Sequence, residues 1–491
     1  MKAIKTFLCL LTISASFNNT AFAQQTPIKA KKNAEFSNTM QSLKEYFSVP
    51  GLAVLVKRND SIIHEEYLGF SDYEAKTPLT PDTTFPIASL TKIFAGITAL
   101  YLAENAKLDL GAPMNDFFEK KPFENAVTVS QVLSHTSQGT PPGEHFYYSF
   151  RFGAMKKVLE TSGNTSLEKL MDSLIITPLQ LKHTYPMKDS LVVINRKEVM
   201  AKPYFLEEGI QPGFIDYGFS TAAGMVSTVR DLAKLDSALD QNLLISEDSK
   251  KQMTEPFRPG LPYGLGIFSE TFAGKKLLWG YGQYDCYSSL WLKVPEEQLT
   301  FLLMANNNLL SDPARLIYGH ATSSRFVMAF LQHFVFDKEE SLNKETKRLL
   351  QREQLRSDAL AASFMARYQL EAFEKSKQGL KTLFELYPNY QDYANLALLH
   401  NLLFLKTVAY HRELGPFNLF DDQILEIGKV LLKKDPLNPY VLYYLGNFHS
   451  ISGQNENAAE YYKRITEAEN FSTNWYTREA QSWLDANTQK P

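Results

Sequence analysis

The sequence predicts an α+β fold, an antiparallel sheet flanked by helices with an all-helical lobe inserted, followed by an all-α repeat-like region. Two strand-forming segments lie near the beginning, at residues 51–57 and 61–69. A helical middle from about 94 to 250 is followed by a late cluster of strand-like segments, and beyond about 335 the composition is uninterrupted helix. Runs of strands separated from runs of helices are typical of α+β domains.

The sheet elements are supported by β-branched and aromatic runs between turn signals. A polar, amphipathic helix is predicted at 28–48, and Arg58-Asn59-Asp60 forms the hairpin turn between the first two strands. The late strands are predicted at 263–268, 275–280, 287–294 and 299–305. We expect one sheet assembled from both ends of a domain spanning 28–335, with the site at the junction of its two lobes.

Within the helical middle, helices are predicted at 129–133, 154–161 and 227–239. Pro141-Pro142-Gly143 predicts a loop between the first two of these helices, because proline and glycine interrupt helical structure. The second lobe therefore consists of short helices joined by loops.

Residues 340–491 are predicted to form a helical, tetratricopeptide-like domain. The spacing of small and large apolar residues is that of such a repeat at Leu442, Leu445, Gly446, Gly453, Ala458, Ala459 and Tyr462. Stacked helix pairs would leave a concave face for a protein partner. The alternative is a helical tail packed on the preceding domain. We expect deletion of residues 340–491 to leave hydrolysis largely intact.

Composition and the first residues predict the compartment. Of 491 residues, 21% are charged and the formal net charge is −3, which gives no sign of nucleic-acid binding. Residues 1–23 resemble a secretory signal, with Lys2 and Lys5 before an apolar run and Ala21-Phe22-Ala23 at its end. An exported protein, periplasmic or secreted, is predicted, without a membrane span in the mature chain. Its one remaining cysteine, Cys286, excludes an internal disulfide.

Ser89 and Lys92 form a Ser-x-x-Lys pair at the start of a predicted helix. Residues three apart share one helix face, so the hydroxyl and the amine lie side by side. A serine becomes a nucleophile when a base takes its proton, and a buried lysine with a lowered pKa is such a base. The same pattern recurs at Ser166–Lys169 and Ser341–Lys344, which we interpret as chance matches on solvated helices. A capping serine beside a surface lysine is the alternative interpretation of Ser89.

Residues 34 to about 335 resemble the serine β-lactamase-like superfamily, which includes class C β-lactamases, D,D-peptidases and related esterases. The resemblance rests on motifs that occur in the family's order. They are Phe85–Lys92, Val127–Ser137, Pro142–Ser149, Ala222–Thr228, Tyr263–Gly266, and Trp279–Gln283 followed by Tyr287-Ser288-Ser289.

The resemblance implies a role for each matching residue. Ser89 would be acylated by the substrate carbonyl, and Lys92 and Tyr148 would share the acid–base work, with Tyr148 activated by a depressed pKa. The backbone N–H groups of Ser89 and Gln283 would form the oxyanion hole. Tyr147 is an alternative for the motif tyrosine, and His135 beside it is interpreted as structural.

Two departures from the family pattern affect the substrate-binding positions. Phe150 stands where the second motif has asparagine. The third motif has Gly280-Tyr281-Gly282 where the family begins with lysine or histidine. Loss of that charged hydrogen bond to a carboxylate costs about 1.5–3 kcal/mol. We therefore predict poor activity on β-lactams and easier access for an ester or amide without that carboxylate.

The sequence thus predicts an exported serine hydrolase that cleaves an ester or amide through a Ser89 acyl-enzyme. Its substrate would be a small molecule or peptide. The nine histidines show no metal-ligand spacing, so no metal and no cofactor is expected. One alternative is a catalytically degenerate binding protein whose helical repeats engage a protein partner. Another is a partner-binding repeat protein that the hydrolase domain regulates or positions.

Overall fold

The computed structural model describes residues 18–123, 126–188, 190, 199–337, 341–468 and 474–488. Residues 1–17 of the predicted signal segment lie outside the described residues. Helix α1 covers Asn18–Tyr46, so it begins earlier than the helix predicted at 28–48 and ends two residues before it.

A seven-stranded antiparallel sheet forms the centre of the molecule. From one edge to the other, its strands are β3 (Thr77–Pro78), β2 (Ser61–Asp72), β1 (Gly51–Arg58), β12 (Leu299–Ala305), β11 (Tyr287–Val294), β10 (Lys275–Tyr284) and β9 (Phe268–Phe272). The first strand pairs with the last, with Leu52 opposite Ala305, so both ends of the domain build one sheet as predicted.

The central strands are apolar because both faces of the sheet are covered. Along β1, Leu52, Val54 and Val56 join one buried cluster, whereas Ala53 and Leu55 join another on the opposite face. This alternation follows from the two-residue period of a strand. The sheet therefore separates two hydrophobic cores.

The strand predicted at 263–268 is wrong in its bounds. Tyr263 makes one isolated bridge to Phe268, and strand β9 starts only at Phe268. The glycines between them cause the difference. Gly266 has a positive φ of +115°, and a Cβ on Gly264 would lie 2.3 Å from the Met253 carbonyl oxygen. The segment therefore turns closely past another chain segment instead of extending.

The inserted lobe carries short helices and a three-stranded sheet. The helices are α2 (Thr91–Glu104), α3 (Val129–Leu133), α4 (Met155–Gly163), α5 (Leu167–Met171), α6 (Val229–Asp240) and α7 (Glu247–Thr254). The small sheet pairs β4 (Phe85–Ala88) with β8 (Met225–Ser227), and β8 with β5 (Tyr185–Pro186). A two-stranded hairpin, β6 (Tyr204–Glu207) and β7 (Gly209–Pro212), completes this part.

The C-terminal region is all-helical, and most helices that are neighbours along the chain pack on one another. After α8 (Arg325–Phe330) come α9 (Lys344–Met365), α10 (Leu370–Leu386), α11 (Leu396–His411), α12 (Asp421–Lys434), α13 (Pro439–Ile451), α14 (Asn455–Thr466) and α15 (Trp475–Thr488). Gly446 lets α13 approach α14, since a Cβ there would lie 2.6 Å from the Tyr462 ring. The assignment of these helices to the tetratricopeptide class stays a prediction.

The helical region shares a hydrophobic core with the sheet. One continuous buried cluster includes Val54 and Phe301 of the sheet, Phe326 of α8, Leu360 of α9 and Leu445 of α13. The helices are therefore packed onto the sheet domain, the arrangement that the sequence leaves as an alternative. Among the described residues, no helix is long and apolar enough to cross a membrane, and no group of side chains fits a metal ion.

Candidate active site

Ser89 lies at a sharp turn between strand β4 and helix α2. Ala88 has a φ of +45°, a left-handed conformation that is costly for a residue with a Cβ. The turn closes with a 3.0 Å hydrogen bond from the Leu90 N–H to the Ile87 carbonyl. The Lys92 N–H donates to the Ser89 carbonyl, also at 3.0 Å, and α2 begins at Thr91. The strain places Ser89, which is partly exposed, at the open end of a buried helix.

Lys92 points from the first turn of α2 to the serine hydroxyl. Its Nζ donates to Ser89 Oγ at 2.9 Å and to the Ala222 carbonyl at 3.0 Å. The residue is 4% exposed, and the Tyr148 ring centroid lies 4.8 Å from Nζ. Burial lowers the pKa of Lys92 to about 7, because a charged amine loses its hydration there. A large fraction of the molecules therefore carries a neutral amine at neutral pH.

Tyr148 completes the group around the serine. Its hydroxyl shares a hydrogen bond with the Ser89 side chain, and burial raises the pKa of Tyr148 well above 10. The direction is opposite to the depressed pKa expected from the sequence. The ring stacks on His135 at 4.2 Å and lies parallel to Phe268 at 5.9 Å, and this apolar packing disfavours a tyrosinate. Tyr148 therefore keeps a neutral, protonated hydroxyl.

His135 lies against the ring of Tyr148, and the two rings are stacked. It is buried, and its Nδ1 accepts a 2.9 Å hydrogen bond from the Ser149 N–H. Burial and the nearby Lys92 hold the pKa of His135 well below its usual value. The neutral imidazole thus acts as a ring on which Tyr148 stacks.

Gly282 and Ser289 bring the end of β10 against the nucleophile turn. A Cβ on Gly282 would lie 2.0 Å from the Ile87 carbonyl oxygen. That same oxygen accepts a 2.9 Å hydrogen bond from Ser289 Oγ on the neighbouring strand. Gln283 follows Gly282 on β10 and lies in the wall of the cavity that contains Ser89. Its Oε1 accepts a hydrogen bond from Ser311 Oγ at 3.0 Å.

The remaining sequence-predicted residues fall into two groups. Phe150 and Tyr281 line the same cavity as Ser89, and Phe150 is 92% exposed. Gly280 and Gly282 do not line it, because their open Cα positions face inward. A Cβ on Gly280 would lie 3.1 Å from Leu90 and 3.2 Å from Ile93 of α2. Tyr147 points away from Ser89, with its hydroxyl donating to Asp435 at 2.7 Å.

The cavity has a volume of about 910 Å³, and the C-terminal helices form one of its walls. The residues of this wall that sequence reasoning did not place in the site are His400, Phe404, Tyr440, Tyr443, Tyr444, Trp475 and Tyr476. The cluster of aromatic residues in α13 was the one sequence feature that could have pointed to this wall. Their position against Ser89 depends on how the helical region docks, which local patterns do not determine.

Arg315 is a further cavity residue that lies outside the sequence motifs. Its guanidinium pairs with Asp312 at 2.6 Å and lies 5.3 Å from the Phe364 ring centroid. Its backbone has a φ of +49°. The third-motif position of β10 holds Gly280 and has no cation. A guanidinium reaches the cavity from the segment after β12 instead, and its charge is paired with Asp312.

A serine hydrogen-bonded to a buried lysine and to a tyrosine, next to an antiparallel sheet, is the arrangement expected of a serine hydrolase of the β-lactamase-like superfamily. The family model described as Beta-lactamase matches residues 36–321, more than half of the chain. The chain belongs to that family.

Known relatives carry several names. The Beta-lactamase of Escherichia coli (strain K12) is 26% identical over 285 residues, which cover 50% of this chain and 70% of that protein. Protein flp of Staphylococcus aureus (strain MW2) is 22% identical over 53% of this chain and 60% of its own length. The D-aminopeptidase of Gluconobacter oxydans (strain 621H) is 20% identical over 56% of this chain and 59% of its own length. This chain thus spans about 60–70% of these relatives.

The octameric penicillin-binding protein homologue from Pyrococcus abyssi is a solved structure with a similar fold. The two structures align with a TM-score of 0.55 at 21% identity, over 66% of this chain and 80% of the other. The family region ends at residue 321, so the helices from α8 onwards lie beyond it.

Proposed function

We propose that this protein hydrolyses an amide or ester bond through a covalent acyl-enzyme on Ser89. The observation that carries the proposal is the 2.9 Å contact between Lys92 Nζ and Ser89 Oγ, made by a buried amine whose pKa is about 7. Among the described residues, no carboxylate pairs with Lys92, and burial is the cause of the shift. A general base works best when its pKa is near the working pH.

In the first step, the neutral Lys92 amine takes the proton of Ser89 Oγ as the oxygen attacks the substrate carbonyl. The tetrahedral oxyanion that forms would accept hydrogen bonds from the Ser89 and Gln283 N–H groups. Gly282 supports this arrangement, since only a residue without a Cβ lets β10 lie this close to Ile87.

Collapse of the intermediate breaks the bond to the leaving amine or alcohol, which needs one proton. Tyr148 is hydrogen-bonded to Ser89, and Lys92 Nζ lies over its ring, so the tyrosine hydroxyl would pass on the proton held by Lys92. Water then attacks the acyl carbonyl and gives one proton to Lys92. The bond between the acyl carbon and Ser89 Oγ breaks, Lys92 returns that proton to Oγ, and the carboxylic acid leaves. The high pKa of Tyr148 favours this relay over a standing tyrosinate.

Substrates without a carboxylate at the third-motif position are favoured. Gly280 supplies no cation, and Arg315 is held by Asp312 at 2.6 Å. A β-lactam carboxylate would have to compete with Asp312 for the guanidinium, so we propose slow acylation by penicillins. The relatives named beta-lactamase and D-aminopeptidase share this family, which supports amide chemistry and leaves the leaving group open. Export of the protein is part of the proposal and rests on residues 1–23.

The proposal is tested by incubating the full chain with a small alkyl fluorophosphonate and, separately, with a labelled penicillin, followed by intact-mass analysis. A phosphonyl adduct that disappears in Ser89→Ala is expected, with much slower labelling by penicillin. Ser341→Ala is the matched control, because Ser341 and Lys344 repeat the same pattern on an exposed segment. Absence of an adduct in folded protein would overturn the proposal and favour a degenerate binding protein.

A further inference from the structure

We infer that helices α11, α13 and α15 form a subsite for a large aromatic or aliphatic group of the substrate. The helical region would then set the specificity of the Ser89 reaction. The inference rests on the proposed function for the bond that is cleaved, and on the cavity itself for the group that is bound. It concerns residues beyond the matched family region, which ends at 321.

The subsite lies beside the reacting serine. The Tyr440 hydroxyl of α13 donates to the Tyr148 carbonyl at 3.5 Å, and the neighbouring Tyr147 hydroxyl donates to Asp435 at 2.7 Å. These contacts fix the helical region against the segment that carries Tyr148. A substrate whose carbonyl reaches Ser89 therefore extends its other groups along this wall.

The wall presents aromatic surface to the cavity. Tyr440, Tyr444 and Tyr476 are nearly buried, whereas Tyr443 is half-buried and Trp475 is 41% exposed. The Tyr443 and Trp475 rings meet edge to face at 5.1 Å. When an apolar ligand group covers exposed rings in a concave site, apolar surface of both is removed from water, and this makes binding more favourable.

Several polar atoms of the wall are paired with one another. Tyr444 OH and Tyr318 OH both contact His400 Nδ1, at 2.7 and 3.0 Å, and the two hydroxyls also contact each other. Burial holds the pKa of His400 well below its usual value, so the imidazole is neutral. Tyr462 OH donates to Asn447 Oδ1 at 2.5 Å.

Because Arg315 pairs with Asp312, this wall offers mainly ring faces to a ligand. Among the described residues that line the cavity, the buried Asn474 Nδ2 and Arg315 Nε are donors without a hydrogen-bond partner. A large apolar side chain matches that surface better than a charged one. Phe150, 92% exposed, also lines the cavity and adds a further ring for the same group to cover.

The test measures binding without hydrolysis, in full-length Ser89→Ala. Titration calorimetry compares N-acetyl-phenylalanine amide with N-acetyl-alanine amide, each as both enantiomers. At least one phenylalanine amide is expected to bind about tenfold or more tightly than its alanine counterpart. Trp475→Ala and Tyr443→Ala, each added to Ser89→Ala, should remove most of this preference.

Tyr410→Ala is the matched control. Like Trp475, Tyr410 is an exposed aromatic residue of the helical region, but it lies on α11 and does not line the cavity. It should leave the preference unchanged. Equal binding of the two amides, or a preference that survives both wall substitutions, would overturn the inference. Since this experiment needs no reactive serine, its failure is distinguishable from a missing Ser89 adduct, which would overturn the proposed function instead.

Discussion

Lys92 is the residue on which both the chemistry and its cost depend. A buried amine without a carboxylate partner is unfavourable when charged, and the same burial lowers the pKa of Lys92 to about 7, as the proposed general base requires. Active sites commonly retain groups that lower the stability of the fold.

Lys92→Met should therefore remove acylation of Ser89 and stabilise the fold, by about 1–2 kcal/mol below neutral pH. The folded pKa is about 7 and the usual value is 10.5, so between these values the unfolded chain holds the extra proton. Wild-type stability then rises with pH across this window, and the advantage of Lys92→Met shrinks accordingly. Thermal unfolding at several pH values checks this, and a variant less stable than wild type at pH 6 would contradict it.

For single residues, the sequence predicted that Ser89 and Lys92 lie together, but it did not predict the protonation of Tyr148 beside them. The i,i+3 spacing of Ser89 and Lys92 is a local property, and a helix converts it directly into contact. The protonation of Tyr148 depends instead on His135 and Phe268, which reach its ring from distant segments. No local pattern contains that information, so the expected depressed pKa was wrong in direction.

Among the elements, the contact between β10 and β4 controls the geometry of the site. Gly282 permits it, and Ser289 holds the Ile87 carbonyl in place. Strands at 287–294 and 299–305 were predicted with their full bounds, because continuous apolar runs between turns are a strong signal. The true end of β10 at Tyr284 lies beyond the predicted residue 280, since two glycines weaken the strand pattern there.

Gly282→Ala should reduce the rate of Ser89 acylation by at least a hundredfold, because its Cβ would meet backbone at 2.0 Å and push β10 from the nucleophile turn. Gly280→Ala is the matched control on the same strand. Its Cβ would meet only side-chain ends at 3.1–3.2 Å, which can shift slightly. Phosphonylation rates of the two variants measure the difference, and equal rates would contradict the assigned role of Gly282.

Asp435, between α12 and α13, positions the segment that contains Tyr148. It accepts hydrogen bonds from Tyr147 OH at 2.7 Å and from Asn438 Nδ2 at 3.0 Å. Asp435→Ala removes a hydrogen bond to a charged group, which costs about 1.5–3 kcal/mol, and we expect slower acylation of Ser89 as well. Asp435→Asn keeps an acceptor and should restore the rate. A slow Asp435→Asn variant would contradict positioning through this hydrogen bond.

The whole molecule is one packed unit in which the helical region is part of the site. The sequence showed the change of composition near residue 335 and suggested that the following helices are dispensable. The structure argues against dispensability, because one apolar cluster runs from Val54 of the sheet to Leu445 of α13. Docking between distant segments produces this cluster, and periodicity within either segment does not reveal it.

Deletion of residues 340–491 should therefore lower solubility and the unfolding temperature of the remaining domain, since it exposes buried apolar surface around α8. Soluble yield and thermal unfolding of the truncated chain measure this directly. Any remaining activity should have lost its preference for large side chains. A soluble fragment with wild-type stability and unchanged kinetics would contradict the shared core.

The central claim is that Lys92 activates Ser89 as a base of pKa about 7, and the pH dependence of Ser89 phosphonylation tests it most directly. The rate constant for reaction with a small fluorophosphonate should rise with pH, with a midpoint near 7 and a plateau above it, because only the neutral amine accepts the serine proton. The Lys92→Met variant should show no such step. A wild-type rate that is flat across pH 6–9, or that first rises near pH 10, would contradict the account.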